Sequence, residues 1–227
     1  ILGHPQRVSH QCFNTASIFY KKKQLAHYHK QALPNDSVFD ERRYFVPGAP
    51  CACILTVNTL RLGVCICEDI WTPAPMQQLF RANVAGVLCL NASPFDRQKY
   101  QKRLETLQPL AQKGVFIAYA NLVGGQDELL FDGGSLVLDA SGTVMARAPI
   151  FETALLSVTL PPAPALCSPL LSEEALLYKG LVLSIRDYFH KNKLVGALVG
   201  LSGGIDSALT LALAVDALGA DNVTAVK

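Results

Sequence analysis

The chain has 227 residues, half of them hydrophobic and 17% charged, which excludes a disordered chain and favours a compact fold with much of its sheet buried on both faces. That length allows one large domain, or one domain and a piece of another. Twenty Lys and Arg against 18 Asp and Glu leave a net +2, too little to imply a nucleic-acid partner, and no apolar run reaches the ~18 residues of a membrane span.

In chain order, Asn14 to Lys30 gives two extended runs joined by a basic turn at Lys21-Lys22-Lys23. Pro34, Pro47 and Pro50 punctuate a long irregular connection. Leu62 to Cys67 is a short apolar run that reads as a buried strand, residues 74–83 as a helix, and Val84 to Leu90 as a second strand. Asp96 to Lys113 reads as a polar amphipathic helix interrupted late by Pro109, and Val115 to Ala120 as a third strand. Strands alternating with helices predict parallel βαβ units. Ser135 to Arg147 reads as a hairpin turning at Asp139 to Gly142, and Leu155 to Leu160 as a last strand.

The run Pro161-Pro162-Ala163-Pro164 continues neither a helix nor a central strand, so residues 158–171 form the expected linker between units at 1–157 and 172–227. After it, Ser172 can cap a helix whose first turn holds Glu173 and Glu174. Leu194 to Leu201 is an apolar strand, Ser202 to Ser207 a Gly-containing loop, Ala208 to Leu218 a helix stopped by Gly219, and Val223 to Val226 the start of another strand. This spells the opening of an α/β nucleotide-binding domain. The chain opens without Met and closes inside a strand-like run, so both ends look cut.

Ser202-Gly203-Gly204-Ile205-Asp206-Ser207 sits where a strand hands over to a helix. Glycines there let the backbone approach an anion, and free N–H groups at the helix start favour phosphate. Asp206 could hold a Mg²⁺ that neutralises the same phosphates. The run lacks the Gly-Lys-Ser/Thr ending of a P-loop, and a plain strand–helix turn is the alternative.

Cys67 ends a buried strand, where α/β folds place their chemistry. A reactive thiol needs a lowered pKa or a nearby base. On spacing alone, core packing is the commoner reason for a cysteine in an apolar run. The seven cysteines are odd in number and scattered, which suits reduced cytoplasmic thiols. Cys51, Cys53, Cys65 and Cys67 lack the paired Cys-x-x-Cys spacing of a zinc site, and the five histidines lie in no nucleophile motif.

Several segments resemble the nitrilase-like glutaminase domain of bacterial glutamine-dependent NAD⁺ synthetases. They are Tyr28 to Asn35, Val38 to Phe45, Ile66 to Trp71, Asn91 to Phe95 and Asn121 to Glu128. The loop at 202–207 resembles the SGGxDS pyrophosphate loop that opens the synthetase domain of the same family. The resemblance runs from end to end of the chain, and the fusion of the two motifs in this order is its most specific feature. It implies an α/β fold: an α-β-β-α nitrilase-like sandwich, incomplete at its start, then the first βαβ element of a Rossmann-like adenine-nucleotide α-hydrolase domain.

The resemblance also implies roles. Cys67 would attack the glutamine amide carbon, Lys30 would stabilise the oxyanion, and Glu41 would orient Lys30. Ser93, Lys99 and Glu68 would bind glutamine. Gly200, Leu201, Ser202, Gly203, Gly204, Ile205, Asp206 and Ser207 would hold ATP phosphates, with Asp206 on Mg²⁺. The general-base Glu should precede Lys30, and no Glu precedes Glu41. Where the family usually shows Tyr after Leu33-Pro34-Asn35, this chain has Asp36. The implied substrates are L-glutamine, ATP and deamido-NAD⁺. No nucleic acid, membrane or tightly bound cofactor is expected, and the intact protein is expected to be a cytoplasmic homo-oligomer. A stand-alone carbon–nitrogen hydrolase and a non-catalytic fragment are the other readings.

Overall fold

The computed structural model describes residues 1–227. Three antiparallel strands come first: β1 (Leu2–Val8), β2 (Gln11–Tyr20) and β3 (Lys23–His29), in the order β1-β2-β3. β1 holds Pro5 opposite Asn14 in an edge strand, where a missing N–H is tolerated.

A second sheet has six strands. They are β4 (Cys53–Val57), β5 (Leu60–Ile66), β6 (Gly86–Asn91), β7 (Phe116–Asn121), β10 (Leu136–Leu138) and β11 (Val144–Arg147), in the order β11-β10-β7-β6-β5-β4. β5, β6 and β7 are parallel; β4 is antiparallel to β5, β10 is antiparallel to β7, and β11 is antiparallel to β10. Leu62, Val64, Cys65 and Ile66 are all buried, as expected of a strand covered on both faces. Ala16, Ile18 and Tyr28 of the first sheet join Val64, Val87, Ile117 and Leu136 of the second in one core.

Helices α1 (Pro73–Arg81) and α2 (Lys99–Ala111) follow β5 and β6. α1 starts with proline at its first position, where the missing N–H costs nothing. It buries Met76 and Leu79, each contributing roughly 1.5–3 kcal/mol. A Cβ on Gly63 would lie 2.7 Å from the Leu79 side chain, so this close approach of strand and helix requires glycine. α2 runs through Pro109 to Ala111. The expected interruption is absent because the proline sits in the last turn and removes a single intrahelical bond.

Residues 123–132 form a hairpin, β8 (Val123–Gln126) and β9 (Leu129–Asp132). The expected strand at Leu155 to Leu160 does not form. Leu155 is 95% exposed, and no neighbouring strand offers these residues a ladder. Residues 165–168 run beside β11 instead, where Ala165 N donates to Met145 O and Ser168 N to Arg147 O.

Helix α3 (Glu173–Lys191) is capped by Ser172, whose Oγ accepts from Ala175 N at 3.3 Å. It packs on the β8–β9 hairpin: Gly125 N donates to Asp187 at 2.8 Å, and Lys191 Nζ donates to Gly125 O. β12 (Ala197–Gly200), α4 (Ile205–Leu218) and β13 (Val223–Val226) complete the chain, with β12 and β13 parallel. α4 begins at Ile205, three residues before the expected start, because Gly204 in extended conformation lets the turn close early.

Candidate active site

Lys30 follows directly on β3 and is anchored on both sides. Its N donates to Asn14 O and its O accepts from Gly48 N, each at 2.8 Å. The side chain is 2% exposed. A buried ammonium is tolerated only with a partner, and Glu41 supplies it: Nζ donates to Oε1 at 2.8 Å and to Oε2 at 2.7 Å. Glu41 opens a 3₁₀ turn, Glu41–Arg43, and also accepts from Asn14 Nδ2 at 3.4 Å.

Cys67 lies one residue past β5, as the first residue of a 3₁₀ turn to Ile70, with φ +45°. A left-handed backbone at a non-glycine residue costs of order 1 kcal/mol and marks sites the surroundings over-determine. Burial pushes the thiol up to about 12, against the pull of the Lys30 charge; Cys89, Glu68 and Glu41 push further up. Lys30, Glu41 and Cys67 line one cavity of about 440 Å³ with Asn14 and Asn91. A cysteine beside a fixed, buried cation can form a covalent acyl adduct, and the cation faces the oxyanion that attack creates. A base must still take the thiol proton.

Asp69, fully buried, holds this pair together. Oδ1 accepts from Gln31 N at 3.1 Å and Ala32 N at 2.7 Å, just after Lys30. Oδ2 accepts from Ile66 N at 3.1 Å, just before Cys67, and from the Tyr28 hydroxyl at 2.9 Å. Sequence reasoning assigned Asp69 no role; its signal was an acid two residues past the nucleophile, at the end of an apolar strand.

The other expected residues disperse around this cavity. Glu68 is pushed up by burial, with Lys30 and Lys99 pulling it down and Asp36 pushing it up. Lys99 lines a neighbouring cavity, and its ammonium lies 5.8 Å from the centre of the Trp71 ring. Ser93 is buried outside both cavities, its N donating to Asn121 Oδ1 at 2.9 Å. Its carbonyl accepts from Arg103 at 3.2 Å. Arg103 makes a twofold pair with Asp132, 2.7 Å on both arms, and Asn121 Nδ2 donates to Asp132 as well. Sequence reasoning missed this cluster too. Its signal was a basic residue sharing the buried face of α2 with Leu107 and Ala111.

Residues 200–207 line neither of these cavities. Gly200 to Ser207 form the turn from β12 into α4, with Ile205, Asp206 and Ser207 already in the first helical turn. Gly203 has φ +87°, which favours glycine, and a Cβ there would meet nothing within 4 Å. Ser202 Oγ and Ser207 Oγ lie 3.2 Å apart, and Ser207 Oγ donates to Gly204 O at 3.0 Å. This leaves an open cradle of backbone N–H groups at a helix start, suited to an anion. No group of three or more metal-ligating side chains occurs, and Asp206 is the loop's only carboxylate. No helix is long and apolar enough to cross a membrane.

Residues 1–165 match the carbon–nitrogen hydrolase family, and residues 177–227 match NAD synthase. A glutamine-dependent NAD⁺ synthetase from Xanthomonas campestris pv. campestris is 42% identical over 236 residues, covering 100% of this chain and 43% of the relative. The structure of a glutamine-dependent NAD⁺ synthetase from Acinetobacter baumannii, in complex with ADP, superposes with a TM-score of 0.93 at 41% identity. It covers 98% of this chain and 44% of that one. An amidase from Nesterenkonia sp. AN1, in which acrylamide has added to the active-site cysteine, has a TM-score of 0.58 at 26% identity, over 65% of this chain and 57% of that one. The chain thus spans under half the length of the synthetases it matches.

Proposed function

Because the chain belongs to the carbon–nitrogen hydrolase family, we propose that its first unit, residues 1–157, hydrolyses the side-chain amide of L-glutamine and that Cys67 is the nucleophile. Sγ attacks the amide carbon, the C–N bond breaks, ammonia leaves with the proton given up by the thiol, and water then cleaves the thioester to glutamate. Lys30, fixed by Glu41, stabilises the oxyanion of both steps. Ser93, Lys99 and Glu68 contribute to holding glutamine, and the proton acceptor is not among the residues assigned here. The observation that carries this reading is that buried Lys30, paired with Glu41, lines one cavity with Cys67.

The second unit, residues 172–227 after a linker at 158–171, belongs in this proposal to an ATP-dependent amidation of deamido-NAD⁺ to NAD⁺. Gly200 to Ser207 would hold the ATP phosphates. One carboxylate, Asp206, together with phosphate oxygens suits Mg²⁺, which binds through one or two carboxylates and substrate phosphates. Mg²⁺ would supply charge neutralisation at those phosphates. The Acinetobacter baumannii relative is a complex with ADP, which supports a nucleotide ligand for the whole protein. The free state of all seven cysteines accords with a cytoplasmic protein, and we expect a homo-oligomer.

A chimera tests the scheme, with this chain replacing the matching segment of the Xanthomonas relative. Cys67→Ala should abolish NAD⁺ formation from glutamine and spare formation from added ammonia, while Asp206→Ala should abolish both and leave glutamine hydrolysis. Loss of every activity in Cys67→Ala, or hydrolysis with no ATP-dependent product in the unmutated chimera, would refute it.

A further inference from the structure

Part of the wall of the cavity that holds Cys67 is made where strands of the second sheet run out. β6 ends at Asn91 and continues into Ala92 and Ser93, and β7 ends at Asn121 and continues into Leu122. Asn91, Ala92 and Leu122 line the cavity; their chain neighbours Ser93 and Asn121 do not. The two segments are bonded through their backbones, Leu122 N donating to Asn91 O at 3.0 Å, and Gly133, just past β9, donates its N–H to Leu122 O at 2.8 Å.

One guanidinium joins all three segments. Arg103 reaches in from α2 and is 1% exposed. Nη1 donates to Asp132 Oδ2 and Nη2 to Asp132 Oδ1, each at 2.7 Å, and Nη2 also donates to Ser93 O at 3.2 Å. Asn121 closes the network. Its Oδ1 accepts from Ser93 N at 2.9 Å, and its Nδ2 donates to Gly133 O at 3.1 Å and to Asp132 Oδ1 at 3.3 Å. An ion pair that served stability alone would require the carboxylate and nothing more. Here one arm is shared with the Ser93 carbonyl, next in the chain to Ala92 of the cavity wall, and a planar cation with several donors is what such sharing requires.

We propose that Arg103 is a positioning residue for the reaction at Cys67. With Asp132 and Asn121 it fixes the wall of Asn91, Ala92 and Leu122, against which the amide is presented to Sγ. The inference rests on the amide-hydrolase reading of Cys67 and adds to it an effect on turnover that originates in α2. Attack needs the reacting atoms roughly 3–3.5 Å apart, and a misplacement of about 1 Å costs on the order of 100-fold in rate. Cys67 and Lys30 are held by Asp69 and Glu41, through bonds that share no atom with this network. Loosening the wall therefore leaves the thiol itself as it was.

The test uses the chimera with Arg103→Lys, which keeps the charge and gives up the fork. Three quantities are measured: glutamate release from glutamine, NAD⁺ formation from added ammonia, and alkylation of Cys67 by iodoacetamide without glutamine, read by mass spectrometry. The kcat of glutamate release should fall about 100-fold with KM within about threefold, while ammonia-dependent synthesis and alkylation stay within about twofold of the unmutated chimera. Asn121→Ala, at a half-buried position, leaves the ion pair in place and should lower kcat about tenfold in the same pattern; it decides the matter if Arg103→Lys does not fold. A kcat unchanged in the variant that folds, a loss carried by KM, or alkylation that falls in step with kcat overturns the proposal and leaves the amide-hydrolase reading standing. An unmutated chimera that releases no glutamate overturns both.

Discussion

Buried Lys30 and partly exposed Glu41 form a pair in which both carboxylate oxygens accept from one ammonium, at 2.7 and 2.8 Å. Removing Glu41 strands the ammonium of Lys30, whose side chain is 2% exposed. Glu41→Ala should therefore cost about 3 kcal/mol of stability, read as a lower urea midpoint. Lys30→Met in the same chain should recover most of it. If the double variant is as unstable as Glu41→Ala, charge burial is not the cause.

Cys67 provides a pH dependence. With the thiol pushed up to about 12, alkylation should accelerate about tenfold per pH unit from 7 to 11. Lys30 pulls the thiol down, so Lys30→Met should slow alkylation at any fixed pH in that range. The sign for stability follows from the raised value. The folded state holds the proton more tightly, a contribution complete below the unfolded thiol's ~8.5 and lost as pH climbs through about 12. Alkaline unfolding above pH 9 should be shallower in Cys67→Ala.

Arg103 and Asp132 supply a cleaner energetic test, since both are almost wholly buried. Arg103→Met and Asp132→Asn should each destabilise by roughly 3–5 kcal/mol. The two together should cost less than the sum, because neither charge is then left alone. Strict additivity in urea denaturation would show that the pair does not couple.

Gly124 has φ +131° and faces Asp187. Gly124→Ala adds both backbone strain and a clash, so α3 should loosen from the hairpin while the six-stranded sheet persists. Hydrogen exchange should rise in residues 173–191 and remain slow in β5, β6 and β7. Uniform loss of protection would contradict this local account.

How much the sequence disclosed depended on whether burial was written locally. β5, β6 and β7 were legible because strands covered on both faces are continuous apolar runs. The Ser172 cap and the Gly219 stop were legible because capping chemistry is local. β1, with Gly3, His4 and Pro5, carries no such run, and its pairing with β2 depends on residues farther along the chain. The strand expected at Leu155 to Leu160 had the right composition and no neighbour. Arg103 was read as part of a polar helix, because Asp132, which makes its burial tolerable, lies 29 residues away. Cys67, Lys30 and Glu41 were reached through family resemblance, and the structure places them in one cavity. Spacing alone left Cys67 open to core packing.

The central claim is that Cys67 is an amide-directed nucleophile beside Lys30. Incubation with a chloroketone analogue of glutamine, followed by peptide mass spectrometry, tests it most directly. The account predicts one adduct, on Cys67, suppressed by L-glutamine and slowed in Lys30→Met. Adducts on exposed Cys51 and Cys167 as readily as on Cys67, or a Cys67 adduct indifferent to glutamine, would contradict it.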